Sequence, residues 1–143
     1  MAVTVTYAHD AAEAASAVAL AAAEGLALAA VRCDAASAAD WQALRQPGGA
    51  LDGQDVAVLV HAAGFARDGL LMTQPLGDFD AVLAVHLRGA AVASRALLRG
   101  MIGARFGRVV YLSSPTAGWG RRGQTSYGAA KAGLVNLCTS LAV

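Results

Sequence analysis

The sequence predicts an α/β fold with about four parallel strands. Three observations predict it. Short β-rich runs alternate with longer helix-forming runs along the whole chain, the order that builds parallel strand–helix–strand units with helices on both faces. The run from Val56 to Val60 is continuously apolar, as expected of a parallel strand buried on both faces. Near the C-terminus a β-rich run, Arg108-Val109-Val110-Tyr111-Leu112, feeds a small-residue loop and then a helix-forming run that begins Tyr127-Gly128-Ala129-Ala130-Lys131.

The elements follow in order. Val3 to Tyr7 alternates valine with threonine and reads as a strand. Asp10 is placed to cap a helix running to about Glu24. Leu26 to Val31 reads as the second strand, and Asp34 follows it. Ser37 caps a short helix through Trp41 and Leu44, and Pro47-Gly48-Gly49 makes a loop. After the strand at 56–60, Gly64 ends a tight turn. Asp78 opens a long helix to about Arg99, with Phe79, Val82, Leu83, Leu87, Ala90 and Leu97 near one side. Arg108 to Leu112 is the fourth strand, and the last helix runs from about Ser126 to the end.

Composition excludes several function classes. The 143 residues are 57% apolar and 15% charged, with net charge +1, so a packed core is expected and disorder is not. The arginines are scattered, which gives no nucleic-acid footprint. Cys33 and Cys138 form neither a metal-ligand spacing nor a disulfide framework, and a reducing, cytoplasmic setting is expected. The alanine-rich run from Ala11 to Val31 is not expected to span a membrane: Glu13 and Glu24 interrupt it, Gly25 breaks it, and its small side chains carry little transfer energy. No basic segment of a signal peptide precedes it.

The chemistry concentrates around the single lysine. Lys131 stands four residues after Tyr127, and the other ten cationic side chains are arginine. Residues at that spacing share a helix face. A tyrosine phenol ordinarily titrates near ~10, and a neighbouring ammonium favours the phenolate. A phenol tuned in this way passes a proton to or from a substrate oxygen. Arginine would supply charge, but without lysine's compact ammonium and freely rotating donors. Ser113-Ser114 ends the strand before the loop, with Ser114 thirteen positions ahead of Tyr127.

Strand, serine, glycine-rich loop, tyrosine and lysine in this layout resemble the short-chain dehydrogenase/reductase family, nearest to its 3-oxoacyl-(acyl-carrier-protein) reductases and polyketide ketoreductases. The resembling stretches include Val58-Leu59-Val60-His61-Ala62-Ala63-Gly64, Arg67-Asp68-Gly69-Leu70-Leu71-Met72 and Gly123-Gln124-Thr125-Ser126-Tyr127. The resemblance implies a partial Rossmann-like, doubly wound parallel sheet. Residues 1–143 would form the central segment of one such domain, lacking the family's first strand, its glycine-rich pyrophosphate loop and its C-terminal strands. In the family the first strand joins the two halves of the sheet. The first two strands here are therefore expected to have no neighbour among the last two, and strand edges and apolar faces to be exposed. Gly118 to Gly123 matches G-x-G-x-x-G, but no strand leads directly into it and no acidic residue follows, so a flexible active-site loop is expected there.

The resemblance also implies roles. Tyr127 would be the general acid for carbonyl reduction, Lys131 would lower its pKa and hold the nicotinamide ribose, and Ser114 would hydrogen-bond the substrate carbonyl oxygen. His86 stands where the family commonly has asparagine, in the helix that helps hold a relay water, and imidazole donates and accepts near neutral pH. Asp34 and Ala35 follow the strand whose end contacts adenine. Ala62, Ala63 and Gly64 replace an Asn-Ala-Gly turn lying against the adenosine ribose, and small side chains permit that approach. His9 ends the first strand near the 2′-phosphate position, which favours NADPH over NADH, although Asp10 weakens that preference. Arg105 matches a basic residue that docks the acyl carrier protein, and Arg121 and Arg122 flank the site's mouth. Helices 78–99 and 126–143 would pair with a second copy or a homologue. No metal, nucleic acid or membrane is expected. The alternatives are a short-chain dehydrogenase of alcohols, steroids or sugars, and a non-catalytic subunit paired with a full-length homologue.

Overall fold

The structure, a computed structural model, describes residues 2–143. Strand β1 (Val3–Tyr7) leads to helix α1 (Ala11–Ala23), strand β2 (Leu28–Arg32) and helix α2 (Ala38–Arg45). Strand β3 (Val58–His61) follows, then helix α3 (Leu76–Leu83), a π-helical turn (Ala84–Arg88) and helix α4 (Gly89–Gly103). Strand β4 (Arg108–Tyr111), a 3₁₀ turn (Pro115–Ala117) and helix α5 (Thr125–Leu141) complete the chain. The fold is α/β, as expected, with boundaries displaced by one to four residues, the largest at the end of the long helix, which reaches Gly103. The second strand starts at Leu28, the third runs from Val58 to His61, and the long helix opens at Leu76, so that Asp78 lies in its first turn.

The strands form two separate parallel pairs, β1 with β2 and β3 with β4. Val3 pairs with Leu28 and Tyr7 with Arg32; Val58 pairs with Arg108 and His61 with Tyr111. As the family resemblance implied, neither of the first two strands hydrogen-bonds to either of the last two. One expectation fails. β3 is not buried on both faces: Leu59 and His61 point inward, while Val58 and Val60 are 41% and 55% exposed. Helix α4 packs on one face of β3, and a strand alternating in this way has one face against a helix and the other open.

The two halves are held by side chains. Trp41 and Leu44 of α2 pack with Cys33, Leu51 and Leu59 against Ala93, Leu97 and Met101 of α4. Each large apolar side chain buried there contributes about 1.5–3 kcal/mol. Trp41 also donates its indole N–H to the Ala35 carbonyl at 3.1 Å. The helix starts are built as read from sequence. The Asp10 carboxylate accepts from the Glu13 N–H at 2.8 Å, and the Ser37 hydroxyl accepts from the Asp40 N–H at 3.1 Å. The helical run from Leu76 to Gly103 is long and apolar enough to cross a membrane by length and composition. Its buried side chains, among them Val82, His86, Ala93 and Leu97, lie against the rest of the chain as in a core helix.

The C-terminus of α4 carries an unusual residue. Phe106 N–H bonds the Met101 carbonyl and Arg105 N–H the Ile102 carbonyl, each at 3.1 Å, the pattern of a Schellman cap. The residue at its left-handed position is Arg105, with φ 52°, where glycine is the usual choice. Arg105→Gly is therefore expected to raise stability by about 1 kcal/mol, measured by chemical denaturation. An unchanged or lower midpoint would show that the arginine's contacts outweigh the backbone cost.

Candidate active site

The C-terminal end of β4 and the start of α5 build the centre of the site. Beyond Tyr111 the Leu112 carbonyl accepts from Lys131 Nζ at 2.5 Å, and Ser113 donates its hydroxyl to the Lys131 carbonyl at 3.3 Å. Lys131 is thus tied to the strand end at both its head and its backbone. It is 6% exposed, and burial pushes its ammonium below the usual lysine range. One turn earlier, the half-buried Tyr127 places its ring centroid 5.4 Å from Nζ. The i,i+4 reading of the sequence is realised directly.

Ser114 caps the 3₁₀ turn. Its Oγ accepts from Thr116 N–H at 3.3 Å and from Thr116 Oγ1 at 3.0 Å. Both contacts use its lone pairs, so the hydroxyl hydrogen is free to be given to a substrate oxygen. The turn packs closely on α5, and Gly128 makes that possible: a Cβ there would lie 3.2 Å from the Thr116 carbonyl oxygen.

His86 joins the group from the π-turn. Its ring is 3% exposed and meets the Tyr127 ring edge-on with centroids 5.2 Å apart. Nε2 lies 2.8 Å from the Phe65 carbonyl oxygen and 3.1 Å from the Phe65 nitrogen; Nδ1 is buried with no partner. The room that Gly64 leaves is filled by this imidazole, since a Cβ at 64 would fall 1.9 Å from its Cε1. Gly64 thus serves the approach of His86.

The expected cofactor residues lie at the strand ends. The Ala35 carbonyl beyond β2 and the His61 ring at the end of β3 both converge on Gly89, within 3.1 and 3.3 Å of where its Cβ would be. Asp34 is exposed, with Oδ1 accepting from Ala36 N–H at 2.9 Å. His9 and Ala62 are exposed and Ala63 half-buried. Arg105 is not brought to this group. It precedes β4, at the opposite end of that strand from Ser114. Gly118 and Gly120 lie in an exposed loop beside the site, not at a strand-to-helix turn.

Sequence reasoning missed a clamp between two loops. Gly69 N–H bonds the Gly123 carbonyl at 2.8 Å, and Gln124 Nε2 donates to Asp68 at 3.0 Å. Gln74 donates to the Arg67 carbonyl at 2.7 Å and reaches the fully buried Ser126 hydroxyl at 3.4 Å. Together these fix the N-terminus of α5, and with it Tyr127. The motif stretches containing Asp68 and Gln124 were legible, but nothing in their spacing showed that they touch. A groove of about 480 Å³ lined by Leu98, Met101, Phe106, Tyr111 and Leu141 lies between α4, β4 and α5, and includes none of Ser114, Tyr127, Lys131 or His86.

Two buried imidazoles set an acid sensitivity. Burial lowers the pKa of both His61 and His86 below the ordinary 6.5. The unfolded chain then takes up protons first as pH falls, so stability present above about pH 6.5 is lost as pH drops through the folded-state values. Denaturation midpoints at pH 8 and pH 5.5 should differ, with a smaller difference in His86→Asn; a flat profile would contradict it.

The whole chain, residues 1–143, matches the family model described as Enoyl-(Acyl carrier protein) reductase. It is 40% identical over 88 residues to the 3-oxoacyl-(acyl-carrier-protein) reductase FabG of Haemophilus influenzae, covering 62% of this chain and 36% of that protein. Against the same-named protein of Aquifex aeolicus the figures are 41% over 92 residues, 64% and 36%. The chain thus spans about a third of the length of these curated relatives. Its backbone superposes on a double variant of a Serratia marcescens short-chain dehydrogenase/reductase with TM-score 0.86 at 33% identity, over 99% of this chain and 57% of that one. Matched from end to end by the family model, and over nearly its whole length by that backbone, the chain belongs to the short-chain dehydrogenase/reductase family.

Proposed function

We propose that this chain supplies the catalytic residues of an NADPH-dependent 3-oxoacyl-(acyl-carrier-protein) reductase acting in the cytoplasm. The observation that carries the reading is the buried Lys131, tied to the Leu112 carbonyl with its Nζ over the Tyr127 ring. A buried ammonium costs stability, and an interface-only subunit has no use for one aimed at a phenol. Tyr127 gives its proton to the substrate carbonyl oxygen. Ser114 holds that oxygen with its free hydroxyl hydrogen as negative charge develops. Lys131 keeps two ammonium protons for the ribose side and for resupplying Tyr127, with His86 alongside.

The nicotinamide cofactor supplies the hydride when bound. Tyr127 and Lys131 would hold its nicotinamide ribose, and Asp34, Ala62 and Ala63 would lie toward adenosine with His9 nearby, whereas Ala35 is buried and the space beside Gly64 is taken by the His86 ring. The pyrophosphate finds no such fit. The Asp10 carboxylate caps the start of α1 and the Asp40 carboxylate stands in the first turn of α2, so each helix start sets a negative charge where an anion would sit. Arg105, kept at a backbone position that favours glycine, supports a docking role toward the acidic carrier protein. A second reductase chain pairs along helices 78–99 and 126–143.

The test is a hybrid in which this chain replaces the matching stretch of the Serratia enzyme. The expected result is NADPH-dependent reduction of a 3-oxoacyl thioester in preference to steroid or sugar ketones. No thioester reduction, or a preference for those ketones, would overturn the assignment. For the 143-residue chain alone, micromolar NADPH binding by fluorescence titration would contradict the missing pyrophosphate site.

A further inference from the structure

We propose that His61 is a positioning residue, which acts by holding open the π-turn that carries His86. The inference rests on the reading of His86 as a member of the proton path, and concerns how that ring is aimed.

His61 ends β3 and is 5% exposed. Its Nε2 lies 3.2 Å from the Val85 carbonyl oxygen. A carbonyl only accepts, so Nε2 carries the proton. Val85 lies inside the turn Ala84–Arg88, where Gly89 N–H bonds the Ala84 carbonyl, five residues back instead of four. A single π-turn places one extra residue in the helix. Relative to an uninterrupted α-helix, that changes the phase between the two sides by about 100°. From this turn His86 faces Gly64 and Tyr127, and Val82 and Ala90, on either side, are both fully buried.

Two neighbours brace the turn from outside. The Arg88 guanidinium donates to the Ala36 carbonyl, and the His61 ring packs where a Cβ on Gly89 would lie 3.3 Å from its Cε1. Among the described residues, His61 is the side chain that gives a hydrogen bond to a main-chain carbonyl within the turn. It is itself held in place. Tyr111 meets its ring edge-on with centroids 6.4 Å apart, and the Tyr111 hydroxyl lies 2.5 Å from Ser94 Oγ on α4.

His86 does not fix its own orientation. Its Nε2 faces both the N–H and the carbonyl of Phe65, which demand opposite tautomers, and Nδ1 has no partner. The ring is therefore aimed by the packing of Gly64 and Tyr127 around it and by the backbone beneath it, which His61 grips one residue away. Without the donor, relaxation of the turn toward α-geometry carries the imidazole off Gly64 and away from Tyr127.

The test is side-chain nitrogen NMR of the ¹⁵N-labelled 143-residue chain, which has three histidines, with His9 exposed. In the wild type, His61 is expected as the Nε2–H tautomer and His86 as one dominant tautomer. His61→Phe keeps a ring but loses the donor, and should move both His86 nitrogens toward a common averaged shift. His61→Gln places an amide donor at similar reach and should restore the wild-type His86 pair. Simple packing predicts the reverse order, with phenylalanine tolerated and glutamine disruptive. An unmoved His86 in His61→Phe, equal disturbance in both variants, or a wild-type His61 protonated on Nδ1 would each overturn the proposal. If His61→Phe does not fold, the wild-type tautomer and the glutamine variant decide it. In the hybrid reductase, His61→Phe should lower kcat about ten- to a hundredfold with little change in KM. An inactive wild-type hybrid would remove the relay reading and leave the NMR result standing.

Discussion

Replacing Tyr127 by phenylalanine is expected to lower kcat of the hybrid reductase by about 10²- to 10⁴-fold, the usual worth of a positioned general acid. The substitution removes one oxygen and leaves the ring. The edge contact with His86 at 5.2 Å and the position under Lys131 Nζ persist, so the fold and KM should change little. Lys131→Met is the informative companion. It deletes a buried ammonium that donates to the Leu112 carbonyl. Stability should hold or rise, because a desolvated charge has been replaced by an apolar side chain, while activity falls with that of Tyr127→Phe. A lysine kept against the interest of the fold is kept for chemistry. If Tyr127→Phe retained most of the hybrid's kcat, the proton would have another donor and the assignment of Tyr127 would be lost.

Gly64→Ala is expected to cost about 1–3 kcal/mol, the range for forcing an atom into a packed site. The three nearest atoms to the new Cβ all belong to one ring: His86 Cε1 at 1.9 Å, Nδ1 at 2.5 Å and Nε2 at 2.7 Å. The ring cannot easily yield, since it is buried and flanked by Tyr127. Trimming the obstacle should therefore rescue the strain. The double variant Gly64→Ala/His86→Ala should be more stable than the sum of the single effects by about 1–2 kcal/mol. Additive losses in denaturant melts would mean that residue 64 is constrained by something other than His86.

Legibility followed range along the chain. Helix caps at Asp10 and Ser37, the Tyr127–Lys131 pair and the order of elements all depend on residues a few positions apart, and all appear as read. The burial of β3 was misread because an apolar run fixes what a strand is suited to, not what covers it. Val58 and Val60 are as apolar as Leu59 and lie on the open face. The π-turn was invisible for a related reason. Ala84 to Arg88 continues an ordinary helical pattern, and the extra residue follows from contacts with His61, Ala35 and Ala36 that no local window contains.

The sequence by itself determined the alternation of strands and helices, the helix starts and the lysine one turn after the tyrosine. Local backbone preference and side-chain reach over one turn decide these. Only the tertiary structure decided that Gly64 exists to admit His86, that Ser114 caps a turn with its hydrogen left free, and that Asp68 and Gln124 clamp two loops. It also decided that the Trp41–Leu97 core joins the two halves, whose want of a shared strand was already expected. Those outcomes depend on which distant surfaces meet, and meeting is settled by packing of the whole chain, where each close approach is permitted or refused by atoms tens of residues away.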